Sequence, residues 1–192
     1  MKLLPIVALV LAAAAPSFDS GLPALAQDKQ DPPQMPKPGK EHELLKQFVG
    51  DWDAECRFQP DPKGEAMVMK GSMSSKMMLN GFWLLGEFKG DMFGQPFEGR
   101  STMSYDPLKK KYVGTWIDSM MPHIFASEGD VDAAGKVFTF IADGVDMNTG
   151  KPSKEKWTFE IKGADEHVMT MYGPGPDGKE VKTGTITYKR KK

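Results

Sequence analysis

The sequence has 192 residues, of which 40% are hydrophobic and 27% charged, and its formal net charge is −1. A chain of this length and composition is able to form a single packed core. The balanced charge argues against nucleic acid as a partner, because there is no basic excess to neutralise phosphates. The only cationic cluster, residues 189–192, is a chain end that solvation explains.

The N-terminus is typical of a secretory signal. Lys2 precedes an apolar run from Leu3 to Ala15, and Ala24 and Ala26 supply small residues at positions −3 and −1 of a cleavage after Ala26. The run is shorter than the roughly 20 residues that span a bilayer. We therefore predict that residues 1–26 are a signal peptide, that the protein has no membrane anchor, and that it is periplasmic or secreted.

Two short segments precede the main domain. Residues 27–40 contain four prolines among polar residues, which is typical of a disordered tether. In the segment from Glu41 to Phe48, Leu44, Leu45 and Phe48 have helical spacing. We predict a short amphipathic helix there, suited to plugging one end of a barrel, at the start of a single domain over residues 41–192.

From Gly50 onward, hydrophobic residues recur with period two. The clearest segment runs from Met67 to Leu79, where Met69, Met73 and Met77 share one face. The predicted strands are 51–58, 67–79, 83–91, 97–105, 111–119, 124–130, 136–142, 154–162, 167–172 and 181–189.

The connections between these strands are short turns. Turn signals such as Asn80-Gly81 leave no room for crossover helices, so neighbouring strands should pair antiparallel. Such a meander either forms a sandwich or closes into a barrel, which removes exposed edges. We predict an all-β fold: an antiparallel up-and-down meander of about ten strands, closed into a β-barrel.

Several motifs resemble a known family. They are Gly50-Asp51-Trp52, Glu98-Gly99, Tyr105-Asp106, the segment Lys111 to Ser119 containing Gly-Thr-Trp-Ile-Asp-Ser, Ser127-Glu128-Gly129, and Gly175 to Lys179. With the stretch Phe88 to Phe97, they resemble a bacterial family catalogued as domain of unknown function 1579. The resemblance covers nearly the whole mature domain and implies a calycin-like barrel, the group that includes lipocalins. That family has no established activity, so the resemblance implies no catalytic residues.

One predicted strand carries the clearest candidate ligand site. Tyr112, Trp116 and Asp118 share a face; if it points inward, Trp116 offers a flat apolar wall and Asp118 a single acceptor. The alternative is that Trp116 belongs to the core and Asp118 is solvated at the rim. Met73 and Met103, in alternating segments, suit either a cavity wall for a flexible apolar ligand or an ordinary core.

Glu128 is the candidate for an enzymatic alternative. It lies in the strand expected beside that of Trp116, and an inward carboxylate there, or at Asp118, would be a functional lead as a general base. Charged residues inside strands more often decorate the outer face. We assign no catalytic residue, and a hydrolase-like enzyme remains an alternative.

The remaining reactive side chains indicate no cofactor or metal. His42, His123 and His167 lack metal-ligand spacing; a haem-binding barrel, by analogy with nitrobindin-like proteins, is an alternative in which His123 or His167 is the ligand. Copper bound through thioethers is a further alternative, since soft sulfur suits Cu(I). Cys56 is the only cysteine, which excludes an intramolecular disulfide, and its place in the alternation predicts a buried, inert thiol.

The leading hypothesis is a non-enzymatic protein that binds a small apolar ligand in a barrel cavity. The alternatives are a hydrolase-like enzyme, a haem-binding barrel, and a structural or interaction module. The sequence leaves the ligand and the oligomeric state open.

Overall fold

A computed structural model of the chain describes residues 35–59, 64–92, 94–145, 150–175 and 178–192. The expected signal peptide and most of the expected tether, residues 27–34, lie outside the described residues. Within the described ranges, no helix has the length and apolar character needed to cross a bilayer.

A short helical segment precedes the strands, as predicted. Helix α1 (Lys40–Leu45) continues into one 3-10 turn, Lys46–Phe48. Leu45 is fully buried and Phe48 is 5% exposed, whereas Glu43 and Lys46 form an exposed ion pair on the other face. The helix is therefore amphipathic and packs by one apolar stripe.

The rest of the chain forms ten strands. They are β1 (Gly50–Phe58), β2 (Met67–Met78), β3 (Trp83–Met92), β4 (Gln95–Asp106), β5 (Lys111–Asp118), β6 (Phe125–Val131), β7 (Val137–Val145), β8 (Pro152–Ile161), β9 (Glu166–Pro174) and β10 (Glu180–Arg190). Every strand pairs antiparallel with its neighbours in the chain. The prediction of an all-β meander of ten strands is confirmed.

The first and last strands close the sheet. β1 pairs with β10 from Trp52 opposite Arg190 to Phe58 opposite Gly184, so the ten strands form a closed barrel. Closure satisfies the backbone hydrogen bonds that edge strands would leave open. The predicted Asn80-Gly81 turn joins β2 to β3, and both residues have positive φ, 60° and 85°, a conformation that asparagine and glycine tolerate best.

Alternation along each strand separates an inner face from an outer face. In β1, Trp52, Ala54 and Cys56 are buried whereas Asp51, Asp53 and Arg57 are exposed. Residues directly opposite in an antiparallel pair share a face, so the register carries this assignment around the barrel. Opposite-charge pairs lie across the outer face, including Arg100 with Glu87 at 3.7 Å, as expected for exposed strand residues.

Candidate functional site

The helix seals one end of the barrel. The Phe48 ring contacts that of Phe138 edge-on, with ring centres 5.2 Å apart, and Trp52 Nε1 donates a hydrogen bond to the Phe48 carbonyl at 3.0 Å. Tyr112 Oη donates to the Glu41 carbonyl at 3.2 Å, tying β5 to α1. We call this end the floor; it is formed by α1, its 3-10 turn and the inward side chains that they cover.

His167 is part of the floor. Its ring stacks on Tyr188 with centres 4.5 Å apart and meets Trp52 and Phe48 edge-on. Burial, assisted by the nearby charge of Arg190, lowers the pKa of His167 to about 4, so the ring is neutral at physiological pH. Because aromatic rings enclose it, His167 is not placed to ligate a haem in the opposite half of the barrel.

The other end of the barrel is open. We call it the mouth; it is formed by the ends of β1, β3, β5, β7 and β9 and the starts of β2, β4, β6, β8 and β10. Several apolar side chains face inward yet remain partly exposed: Met73, Met103, Trp116, Phe125 and Met171. Their inward direction follows from register, since Met73 lies opposite Trp52 and Phe88. Solvent therefore reaches apolar surface inside the barrel above the floor, and we call this interior region the lumen.

Small inward-facing residues line part of the lumen. The inward-facing positions of β3 to β6 include five small residues: Gly86, Gly99, Ser101, Gly114 and Ser127. At Gly99 the reason is visible, because a Cβ there would lie 2.3 Å from Trp116 Cη2. Gly99 thus allows the indole of Trp116 to lie flat against the wall, where it stacks on Phe97 with ring centres 6.5 Å apart.

Asp118 holds Trp116 and the neighbouring loop in place. Its Oδ2 accepts a hydrogen bond from Trp116 Nε1 at 2.8 Å, and its Oδ1 accepts from the backbone N–H groups of Met120 and Met121 at 2.8 and 3.3 Å. These three donors occupy much of the acceptor capacity of the carboxylate. Trp116 is accordingly a wall residue of the lumen, and Asp118 is a rim residue that fixes the positions of Trp116 and the following loop.

Tyr112 shares the inward face of Trp116 but lies at a different depth. It is 2% exposed and is buried beneath α1, and burial raises the pKa of Tyr112 to about 12, with smaller contributions from Glu41 and Tyr105. Tyr112 therefore belongs to the floor, and its prediction as a residue that contacts ligand is not supported by this position.

Glu128 faces outward. It pairs with Lys109 on the outer wall, and its side chain is 54% exposed. The hypothesis of an inward Glu128 acting in the cavity is wrong, because the inward positions of β6 are Phe125, Ser127 and Gly129. Of the six predicted site residues, Trp116, Met73 and Met103 face inward and are partly exposed, and Asp118 lies at the rim.

An inward carboxylate does exist, at a position that we did not predict. Glu155 lies opposite Ala142 on the inner face of β8, and its Oε2 accepts a hydrogen bond from Trp157 Nε1 at 2.9 Å. Burial raises the pKa of Glu155, and the bond from Trp157 offsets this only in part. The sequence signal was its place in the alternation Ser153, Glu155, Trp157, which the flanking lysines obscured.

Further buried polar atoms of the described residues lie unpaired. His123 Nε2 and Ser153 Oγ are both buried without a hydrogen-bond partner among the described residues. The His123 ring contacts Phe125 edge-on at 4.8 Å, and Phe125 lies 6.1 Å from Trp157, so a continuous set of contacts links His123 to Glu155.

Cys56 and the possible metal ligands offer no reactive centre in the described part of the chain. Cys56 is 1% exposed, and burial, with the charge of Glu55, raises the pKa of its thiol to about 12, which agrees with the predicted inert thiol. No three His, Cys, Asp or Glu side chains of the described ranges come together as a metal site would require.

Two open depressions lie outside the lumen. One, of about 500 Å³, lies at the rim beside Lys156, Tyr172 and Glu180. The other, of about 450 Å³, lies on the outer wall beside Thr115, Ile141 and Glu128. Both are shallow, so neither encloses a small molecule as a deep pocket would.

Comparison with known proteins identifies the family. Residues 37–190 match the family described as "Protein of unknown function (DUF1579)". The chain belongs to this family. The resemblance inferred from the sequence motifs is thereby confirmed, and DUF1579 has no established activity. No curated protein matches the chain.

Two solved structures share the barrel of this DUF1579 protein. The S-type phycobiliprotein lyase CPES from Guillardia theta is 13% identical, covers 81% of this chain and 99% of its own, and has a TM-score of 0.54. Rv2717c from M. tuberculosis is 9% identical, covers 80% of this chain and 99% of its own, and has a TM-score of 0.53. At these identities the likeness establishes the calycin-like fold alone.

Proposed function

We propose that this DUF1579 protein is a non-enzymatic binding protein that holds a small apolar molecule in the lumen. The observation that carries the proposal is the set of inward-facing apolar side chains that remain in contact with solvent above a sealed floor. Covering such water-exposed apolar surface with a ligand contributes roughly 25 cal/mol of binding free energy for each Å² removed from water.

The residues of the lumen suit ligands of variable shape. Trp116 supplies a rigid flat surface, whereas Met73, Met103 and Met171 supply unbranched, polarisable side chains that adapt to irregular partners. The small residues Gly86 and Gly99 allow Met73 and Trp116 to lie close against the wall, since a Cβ at Gly86 would lie 3.0 Å from Met73 Sδ and a Cβ at Gly99 would lie 2.3 Å from Trp116. This combination is typical of pockets that recognise apolar bulk and fix orientation with few polar groups.

The fold by itself does not choose between binding and catalysis, since one barrel of this shape carries the name phycobiliprotein lyase. Asp118 is occupied by three hydrogen bonds and Glu128 is outside the barrel, so neither predicted general base is positioned to act on a ligand in the lumen. Glu155 does face inward, and we assign it to binding because one of its oxygens already accepts a hydrogen bond from Trp157 Nε1.

We further propose that the protein acts outside the cytoplasm. Lys2, the apolar run from Leu3 to Ala15 and the small residues Ala24 and Ala26 support cleavage of a signal peptide. N-terminal sequencing of the protein from a periplasmic or culture-medium fraction should read Gln27 as the first residue; an intact Met1 on cytoplasmic protein would refute export.

A dye-binding titration tests the lumen as the binding site. The neutral fluorophore N-phenyl-1-naphthylamine should bind saturably, one molecule per barrel, with increased emission. The variant Ser101→Trp fills the lumen opposite Gly86 and Trp116, and should abolish the saturable signal.

The matched control is Ile117→Trp, which adds the same side chain to the outer wall, where Ile117 is 45% exposed. This variant should bind the dye as the wild type does. Circular dichroism establishes that both variants remain folded. Equal loss or equal retention of dye binding in the two variants would refute the lumen as the site.

A further inference from the structure

One side of the lumen combines a carboxylate with aromatic rings, and this combination narrows the class of ligand. Glu155 points inward from β8, where Trp157 Nε1 donates to its Oε2 at 2.9 Å. Its Oε1 lies beside Gly144, where a Cβ would approach to 2.8 Å, and no donor among the described residues reaches that oxygen. Glu155 therefore presents one free acceptor inside an apolar enclosure.

The charges around Glu155 favour a cationic ligand. The neighbouring lysines on β8 face outward, Lys154 pairing with Asp143 and Lys156 with Glu180. The other inward-facing carboxylate in the described strands is Asp118, at the rim. No lysine or arginine in the described strands faces the lumen, since Arg190, over the Trp52 ring, belongs to the floor. A cation entering the lumen would meet carboxylates and no competing positive side chain.

Ser153 supplies a second unpaired acceptor on the same strand. It lies two residues before Glu155 on the same face of β8, and its buried Oγ has no partner among the described residues. A hydroxyl oxygen accepts hydrogen bonds. Trp157 follows on the same face, with the Phe125 ring 6.1 Å away, and aromatic rings also attract cations.

We propose that the ligand of the lumen is an apolar molecule that carries a primary ammonium group, with Glu155 and Ser153 accepting hydrogen bonds from its N–H donors. This inference rests on the proposed binding function and specifies its ligand. A primary ammonium has donors and no acceptor, which suits a site whose unpaired polar atoms are acceptors. An anionic head group would instead be repelled by Glu155 and Asp118.

Burial makes this site sensitive to pH. The pKa of Glu155 is raised by desolvation, so a bound ammonium would favour the ionised carboxylate that it pairs with. Glu155 contacts Trp157 on its own strand and Gly144 on β7, and the flanking Lys154 and Lys156 pair outward with Asp143 and Glu180. Protonation of Glu155 removes the charge that pairs with an ammonium, so affinity for an ammonium falls as the pH falls.

Three ligands with the same ten-carbon chain test the proposal by displacing N-phenyl-1-naphthylamine: decylamine, decanol and decanoate. In the wild-type protein, decylamine should bind about tenfold more tightly than decanol, since charge-assisted hydrogen bonds are roughly twice as strong as neutral ones, and decanoate should bind most weakly. The affinity for decylamine should fall between pH 8 and pH 5, whereas that for decanol should not change.

The variant Glu155→Gln keeps the size of the side chain and removes its charge. It should reduce decylamine affinity to that of decanol and leave decanol affinity unchanged, which also shows that the barrel is intact. The control Glu87→Gln removes an outer-wall carboxylate, 51% exposed, and should change neither affinity.

The outcomes separate this inference from the proposed function. If decanol and decylamine displace the dye equally, or if Glu155→Gln leaves the preference for decylamine intact, the ammonium site is wrong although the lumen still binds apolar molecules. If the dye itself does not bind in the lumen, or if none of the three ligands displaces it, both proposals are refuted.

Discussion

The contact between Gly99 and Trp116 provides a sharp test of how the lumen wall is built. A Cβ added at Gly99 would lie 2.3 Å from both Cη2 and Cζ2 of Trp116. Carbon atoms at optimal separation are about 3.5 to 4.0 Å apart, so the indole must move by more than about 1 Å. Such a movement breaks the 2.8 Å hydrogen bond from Trp116 to Asp118.

We therefore expect Gly99→Ala to destabilise the protein by about 2 to 3 kcal/mol, combining overpacking with loss of that hydrogen bond. With a urea slope of about 2 kcal/mol/M, the unfolding midpoint should fall by about 1 M. Gly163→Ala is the matched control, because a Cβ there meets nothing within 4 Å and should change the midpoint little. Both are measured by urea unfolding followed by circular dichroism.

The same substitution in a protein that lacks the Trp116 indole tests whether this contact causes the loss of stability. In a Trp116→Leu protein the indole is absent, so adding Gly99→Ala should cost less than about 0.5 kcal/mol. The difference between the two backgrounds is the interaction energy of the pair. The same cost in both backgrounds, or no cost in the wild-type background, would show that Trp116 does not lie against Gly99.

Two further predictions concern the buried groups. Burial lowers the pKa of His167 from 6.5 to about 4 in the folded protein. Between these two pH values the unfolded chain binds a proton on His167 that the folded protein does not bind. The free energy of unfolding therefore decreases as the pH falls from 6.5 to 4, by roughly 3 kcal/mol. In His167→Gln the urea midpoint should depend less on pH between pH 6.5 and 4 than it does in the wild type; an identical pH dependence in the two proteins would contradict the assignment. Cys56 should resist a thiol-reactive disulfide reagent at pH 8 and react fully in urea; rapid labelling of the folded protein would place the thiol at the surface.

Local alternation predicted the strands because each strand has one buried and one exposed face. Alternation placed Trp116 and Asp118 on one face of a strand, and it left open whether that face points inward. It did not give depth along the barrel, so Tyr112, four residues from Trp116, was grouped with the lumen although it lies in the floor. Depth depends on which end α1 covers, and that is a long-range contact.

The errors at the carboxylates have a different cause. In β6 the inward residues Ser127 and Gly129 are small, because a Cβ at Gly129 would lie 2.1 Å from the Thr139 carbonyl oxygen. Small residues give no apolar signal, so alternation left the direction of Glu128 undecided. In β8, Glu155 stands between two lysines and resembles an exposed charged run. Only the register with Ala142 reveals that it faces inward.

The most direct test of the central claim is native mass spectrometry of the protein purified from its own host, compared with Ser101→Trp prepared in the same way. We predict that the wild-type protein carries one small apolar molecule per chain, and that the lumen-filled variant carries none. A wild-type protein with the bare mass of its chain, or an adduct retained equally by the variant, would contradict the claim that the lumen is a ligand-binding site.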